Sequence, residues 1–283
     1  MFPCFIPRKT CFVIGRTVIP TYNRIVQVQQ AINSVLAQTY QDIEVVVVDD
    51  GSFPHQRLQK AQLVNPLIKY FYRPHRGVAA ARNFGAAVAN GQYLAFLDSD
   101  DLWDKRKLEK QLAFLRGNPD IKVCHTDETW IRNGEHLNQL KKHAKSGGWI
   151  FEQCLPLCLI SPSSIVMEKN VFTTLGGFDE RFPVCEDYDL WLRLTLHYQV
   201  GYLDEKLVTK RGGQDDQLSR KYWGMDRFRI RALEKVLRAG LDELRAPLVR
   251  EEIRRKYDVL IGGSWKRGKM ISWLYYIYKK SLV

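Results

Sequence analysis

The sequence predicts an α/β fold, a layered sheet flanked by helices, that ends in a basic helical C-terminal extension. Three observations predict it. Four apolar runs alternate with stretches of helical spacing through the first hundred residues. The run at residues 43–48 is apolar but for Glu44, as suits a strand covered on both faces. Beyond Gln217 apolar residues recur at helical spacing, and residues 205–283 carry 20 basic against 10 acidic side chains. The 283 residues, 45% hydrophobic and 12% aromatic, suit one large domain or one domain with an appendage, and they exclude a disordered chain.

The apolar runs are residues 11–19, 43–48, 68–72 and 93–97, each read as a strand. Between them residues 26–36, 55–63 and 78–88 have helical spacing, with Gly91 as the stop of the third. Strands that alternate with helices in this way lie parallel. Asp49-Asp50-Gly51-Ser52 then falls at the carboxyl end of a buried strand, the edge at which open α/β sheets hold ligands. Residues 133–148 are polar and basic and read as an irregular connection. A second patterned block covers residues 149–203 and contains a helix at 187–197, introduced by Gly176-Gly177-Phe178-Asp179. Residues 222–237, 246–260 and 270–280 are three further helices, and there is no internal repeat.

No run reaches the ~20 apolar residues that span a bilayer; residues 270–278 are too few and stand between Lys269 and Lys279. The first residues have no long apolar core or small-residue cleavage site, so the expected location is cytoplasmic. The six cysteines, Cys4, Cys11, Cys124, Cys154, Cys158 and Cys185, lack zinc spacing, and Cys154 and Cys158 would share a face if their segment is helical, in a packing role. Residues 205–283 hold +10 of the net +12 charge. Such a segment is either a solvated helical face or a contact for anionic lipid on the inner face of a membrane, a lipid-linked phosphate or nucleic acid. Nucleic acid is not expected, since no reader motif accompanies the charge.

The strongest chemical signal is Phe96-Leu97-Asp98-Ser99-Asp100-Asp101. Carboxylates this close repel one another, and a divalent cation offsets that repulsion. Mg²⁺ or Mn²⁺ fits, because the donors are hard oxygens with no adjacent histidine or cysteine. The plainer alternative is a cap on the helix starting near Asp104. With Asp49-Asp50 on the same rim, a nucleotide diphosphate can be held there: Asp49 at base or ribose, Asp100 on the metal, Pro20-Thr21-Tyr22-Asn23-Arg24 beside the base, and Arg82 near a diphosphate oxygen. For Arg82 alone, a surface ion pair is the plainer reading.

Taken in order, Val18-Ile19-Pro20-Thr21-Tyr22-Asn23-Arg24, Val48-Asp49-Asp50-Gly51-Ser52, Ala81-Arg82-Asn83 and Phe96-Leu97-Asp98-Ser99-Asp100-Asp101 closely resemble the family 2 glycosyltransferases. The resemblance covers roughly residues 13–204. It implies the Rossmann-like A-type nucleotide-diphospho-sugar transferase fold with a mixed central sheet, a catalytic domain at 1–210 and the basic helical extension at 211–283. It also implies a nucleotide diphosphate sugar donor, UDP-sugars favoured, and transfer with inversion to a glycan or lipid-linked hydroxyl, as in surface polysaccharide or glycolipid synthesis. Pro20, Thr21, Tyr22, Asp49, Asp50, Arg82, Asp98 and Ser99 would bind the nucleotide sugar, and Asp98 and Asp100 the Mn²⁺ or Mg²⁺. Glu186-Asp187, before a Trp-bearing helix, would face the acceptor, with Asp187 as general base; an acidic pair that favours the helix dipole is the structural alternative. Gln214 departs from the pattern, in which histidine is usual, and residues 1–12 are atypical of the family. A nucleotidyltransferase lacks support because no glycine- and lysine-rich loop follows the first strand. A non-catalytic sugar-nucleotide binder has only Gln214 in its favour.

Overall fold

The computed structural model describes residues 15–213 and 221–283. Strand β1 (Gly15–Thr21), helix α1 (Ile25–Leu36), β2 (Ile43–Asp49), β3 (Ile68–Tyr72), α2 (Val78–Val88) and β4 (Tyr93–Phe96) form the parallel half. There follow β5 (Leu102–Trp103), α3 (Lys107–Gly117), β6 (Val123–Arg132), β7 (Glu135–Leu137), α4 (Phe151–Cys154), β8 (Val166–Glu168), α5 (Lys169–Thr174), α6 (Glu186–His197) and β9 (Gly201–Gly212). Helices α7 (Asp226–Arg238), α8 (Arg245–Lys266) and α9 (Met270–Ser281) complete the chain. The strands lie in the order β3-β2-β1-β4-β8-β6-β9-β5, with β7 paired to β6. Pairs among β1 to β4 are parallel, β8 is antiparallel to β4 and β6, and β9 runs parallel to β6.

Alternation along the strands splits the core. Val18, Val46, Val48 and Phe96 point to one face and pack with Ala81, Phe172, Phe178 and Trp191. Ile19, Val45, Val47 and Leu97 point to the other, against Val28 and Ile32 of α1 and Leu108 and Leu112 of α3. Both faces are covered, which is why β1 and β2 are buried along their whole lengths. The C-terminal helices join the first cluster through Ile230, Leu233, Val249, Ile253 and Tyr257. The division expected between residues 210 and 211 falls inside β9.

Three expectations change. Residues 55–63 form no helix but two short 3₁₀ turns, Pro54–Gln56 and Lys60–Leu63. Arg57 between them is extended because its Nε donates to Ser52 O (2.8 Å) and its guanidinium lies 3.7 Å over the Tyr72 ring. Residues 133–148 contain β7, turned back by Asn133-Gly134, both at positive φ, the residue pair that fits a tight hairpin. Helix α4 ends at Cys154, so Cys158 does not share its face; the Cys158 thiol donates to Ile160 O instead.

Gly85 lets α2 sit close on β1. A Cβ there would stand 2.3 Å from Val18 Cγ1 and 3.2 Å from Val48 Cγ2, both on the rigid sheet. Gly85→Ala is expected to lower stability by about 1–3 kcal/mol, the usual cost of overpacking, against the gain that alanine brings to a helix. The midpoint of urea unfolding measures it.

Candidate active site

The carboxyl ends of β1, β2 and β4 open on a cleft of about 960 Å³, whose lining includes Pro20, Thr21, Tyr22, Asp50, Arg82, Asp98, Ser99 and Asp100. Asp49, Glu186 and Asp187 are not part of that lining. Each rim loop is tied to the next. Asp50 N–H donates to Thr21 O (2.9 Å), Asn23 N–H to Ser52 Oγ (2.8 Å), and Phe53 N–H to Asn23 Oδ1 (2.9 Å). Tyr22 lies at the mouth with its ring stacked on His75, centroids 4.3 Å apart.

The two adjacent aspartates separate. Asp49 is 1% exposed and accepts from Ser52 N–H (2.8 Å) and Tyr70 Oη (2.5 Å), so its oxygens brace the strand end beneath the cleft and are not presented to a nucleoside. Asp50 faces the cleft and accepts from the backbone N–H groups of Arg76 (2.9 Å) and Gly77 (2.8 Å), which fixes the loop leading into α2.

Residues 98–101 make one turn, closed by Asp101 N–H donating to Asp98 O (3.0 Å). Ser163 Oγ accepts from Asp98 N–H (3.1 Å) and donates to Asp101 Oδ2 (2.6 Å), while Arg211 N–H donates to Asp101 Oδ1 (3.0 Å). Asp101 is thus a buried structural carboxyl, pushed well above the usual range by burial and by the Asp100 charge. Asp98 and Asp100 turn to the cleft. Asp98 accepts from Arg82 Nη2 (2.6 Å) and Asp100 from Arg24 Nη1 (2.7 Å). Burial raises the Asp100 carboxyl, Arg24 opposes the rise and Asp98 adds to it. Among the described residues no three His, Cys, Asp or Glu side chains gather as a metal cage.

Arg82 is no surface ion pair. It is 3% exposed, and its Nη1 donates to Glu186 Oε1 at 2.6 Å while Nη2 holds Asp98. Burial works against its charge, but Asp98 and Glu186 outweigh that and raise it above the ordinary arginine value. Burial, with Asp187 beside it, raises the Glu186 carboxyl, and Arg82 pulls the other way. Asp187 is partly exposed at the first turn of α6, where its Oδ1 accepts from Tyr188 N–H (2.7 Å) and the Cys158 thiol lies against it. Asp189 is 0% exposed and paired to Arg193 (2.7 Å) and Lys235 (2.9 Å), which makes it a structural carboxylate.

Sequence reasoning missed Lys210 and Arg211. Both line the cleft from the end of β9, and Arg211 Nε donates to Asp100 O (2.5 Å). Burial disfavours the Lys210 cation, yet Glu128, Asp101, Asp98 and Asp187 outweigh it and raise it. The only sequence signal was the unrecognised strand that delivers them. Gln214, Asp215 and Asp216, like residues 1–12, lie outside the described residues.

The model of Glycosyl transferase family 2 matches residues 17–153. The Escherichia coli UDP-Glc:alpha-D-GlcNAc-diphosphoundecaprenol beta-1,3-glucosyltransferase WfgD is 32% identical over 178 residues, 62% of this chain and 68% of that protein. The chain belongs to glycosyl transferase family 2. An uncharacterized glycosyltransferase of Rickettsia conorii is 36% identical over 192 residues, 67% of this chain and 31% of that protein. The chain therefore spans about a third of the length of this and two similar Rickettsia relatives. Among solved structures, S. aureus TarS with UDP-GlcNAc superposes with TM-score 0.75 at 20% identity, over 93% of this chain and 79% of that one. The Pyrobaculum calidifontis mannosyltransferase PcManGT, solved with GDP-Man and Mn²⁺, gives 0.61 at 14%, over 95% and 79%. These likenesses show the A-type glycosyltransferase fold.

Behind Lys210, Glu128 is buried on β6. Burial alone would raise its carboxyl, but Lys145 at 3.0 Å, Lys210, and hydrogen bonds from Ser161 and Trp130 hold it at about 2 against an ordinary 4.5. A depressed carboxylate contributes stability above its unfolded value and loses it as pH falls through the folded one. Glu128→Gln is therefore expected to cost about 3–5 kcal/mol at neutral pH. The gap to the parent protein should close as pH falls from 4.5 towards about 2, as read by denaturant unfolding at each pH.

Proposed function

We propose that the chain transfers a sugar from a nucleotide diphosphate donor, UDP-sugars favoured, to a hydroxyl of a lipid-linked glycan, with inversion at the anomeric carbon. One observation carries this reading. A single buried guanidinium, Arg82, grips both Asp98 at the cleft and Glu186 at the start of α6. The donor-binding carboxylates and the acidic pair expected at the acceptor are thereby held in one rigid unit. The names of relatives support the substrate class: WfgD uses UDP-Glc and a diphosphoundecaprenol-linked acceptor, and TarS was solved with UDP-GlcNAc.

In this reading Asp187 takes the proton from the acceptor hydroxyl as the new bond to the anomeric carbon forms and the bond to the diphosphate breaks. Glu186, locked by Arg82, fixes where Asp187 stands. Tyr22, Thr21 and Asp50 face the nucleoside, and Lys210 and Arg211 supply positive charge near the leaving diphosphate. Asp98 and Asp100 offer the hard carboxylate oxygens that would hold a Mn²⁺ or Mg²⁺. Such an ion would neutralise the diphosphate. The two carboxylates are paired with arginines, Asp100 with Arg24 and Asp98 with Arg82. Residues 1–210 would carry the catalysis and 211–283 extend it, working from the cytoplasmic side in surface polysaccharide or glycolipid synthesis.

Excess chelator is expected to abolish donor turnover and Mn²⁺ or Mg²⁺ to restore it, while Asp100→Asn weakens UDP binding in calorimetry. Full turnover in chelator would remove the metal from the reading. Asp187→Asn is expected to cut turnover about 10²-fold or more with little change in donor Kd, because the lost interaction exists mainly in the transition state. Proton NMR of the product should show the inverted anomer. Near-parental turnover of Asp187→Asn would exclude it as the base.

A further inference from the structure

Helix α9 leaves a stripe of large apolar side chains in solvent. Ile271 (86% exposed), Leu274, Tyr275, Tyr278 and Leu282 (62%) recur at spacings of three, one, three and four residues. At about 100° per residue these five occupy an arc roughly 100° wide. The opposite side is fastened: Tyr276 is buried against Tyr257 of α8, ring centroids 6.3 Å apart, and Lys280 pairs with Asp258 at 2.6 Å. The end of α8 adds exposed Trp265 and the first residue of α9 exposed Met270. Water does not favour such a stripe, so something of matching chemistry covers it.

Charge decides what that is. Residues 259–283 hold five basic side chains, Lys266, Arg267, Lys269, Lys279 and Lys280, and no acidic one. Lys266, Arg267 and Lys269 are exposed in the turn that leads into the stripe. A second copy apposed through this face would bring the same cations together and be repelled. An anionic lipid surface matches both features: its headgroups attract the lysines, and its acyl boundary receives the aliphatic and aromatic side chains. Tyrosine and tryptophan flanking the aliphatic residues suit the headgroup level. No helix of the described residues is long and apolar enough to cross a membrane, so the contact is one of lying on the surface.

We infer that α9 and the turn before it form an amphipathic docking surface for an anionic bilayer, through the stripe Ile271, Leu274, Tyr275, Tyr278 and Leu282 bordered by Lys266, Arg267 and Lys269. This deepens the reading of a lipid-linked acceptor, since it holds the enzyme at the surface where such an acceptor resides.

Flotation of the full chain with vesicles of phosphatidylcholine alone, or with roughly one-third phosphatidylglycerol, tests it. Anionic vesicles should bind at least about ten-fold more protein at low salt, and added salt should weaken that binding steeply. Two variants separate the contributions: Ile271→Ser with Leu274→Ser and Tyr278→Ser removes the stripe and keeps the charge, and Lys266→Ser with Lys269→Ser does the reverse. Each should lose about ten-fold in binding to anionic vesicles while circular dichroism stays unchanged. Equal binding to neutral and anionic vesicles, or parental binding by the stripe variant, would overturn the inference. So would a dimer of the parental chain that the stripe variant converts to monomer. The assay contains neither donor nor acceptor, so lost turnover with intact vesicle binding would count against the transferase reading alone.

Discussion

Everything at the cleft depends on the burial of one cation between two anions. Arg82 leaves α2 at the cleft and meets Asp98, in the turn after β4, and Glu186 of α6 at 2.6 Å each. With its side chain only 4% exposed, the guanidinium has exchanged water for these carboxylates, and neither side can be removed without stranding a charge in a poorly solvated place. The Cβ-less Gly85, one turn further along α2, lets the helix approach the sheet closely at Val18. Packing and electrostatics therefore depend on the same helix standing at the same height.

A second network holds the acidic helix from behind. Lys235 of α7 donates to Asp179 (2.8 Å) and pairs with Asp189 (2.9 Å), and Arg193 reaches back to Gly177 O (2.8 Å). The loop over residues 177–185, which sends Glu180, Arg181, Phe182 and Pro183 to the cleft, is thus tied to a C-terminal helix. That explains why the helices beyond β9 share the main core, and why an appendage reading of them would understate their part in shaping the site.

The parallel half was legible because its inner strands β1, β2 and β4 are covered on both faces and so read as largely apolar runs; β3 and α2 match their expected bounds, and β1, β2 and β4 end within two residues of theirs. The other half was not. Strand β6 reads Val-Cys-His-Thr-Asp-Glu-Thr-Trp-Ile-Arg, and its polar residues look like surface, yet His125, Thr126 and Glu128 are buried. His125 and Glu128 are buried because partners distant in sequence meet them, Ser146 O for His125 and Lys145 and Ser161 for Glu128, while Thr126 Oγ1 turns to the neighbouring Asp127 O. No local pattern announces such pairing. Residues 133–134 are the opposite case: Asn-Gly is a local hairpin signal, masked by the polar and basic residues around it.

By itself the sequence determined the carboxylate-bearing rim. Both carboxylate clusters follow directly on apolar stretches of parallel strands, so Asp49-Asp50 and Asp98-Ser99-Asp100 had to open on one rim, and the order of the motifs named the family. Only the tertiary structure decided which of those carboxylates face the cleft. Asp49 turns to Tyr70 and Asp101 to Ser163, while Asp50, Asp98 and Asp100 line the cleft with Arg76, Arg82 and Arg24 beside them. It also brought Arg211 to the backbone of Asp100, 111 residues away, and Arg82 to Glu186, 104 residues away. The physical reason is that a charge buried in a fold is stable only beside its counter-charge, and the partner is chosen by how strands and helices stack in space, which spacing along the chain does not encode.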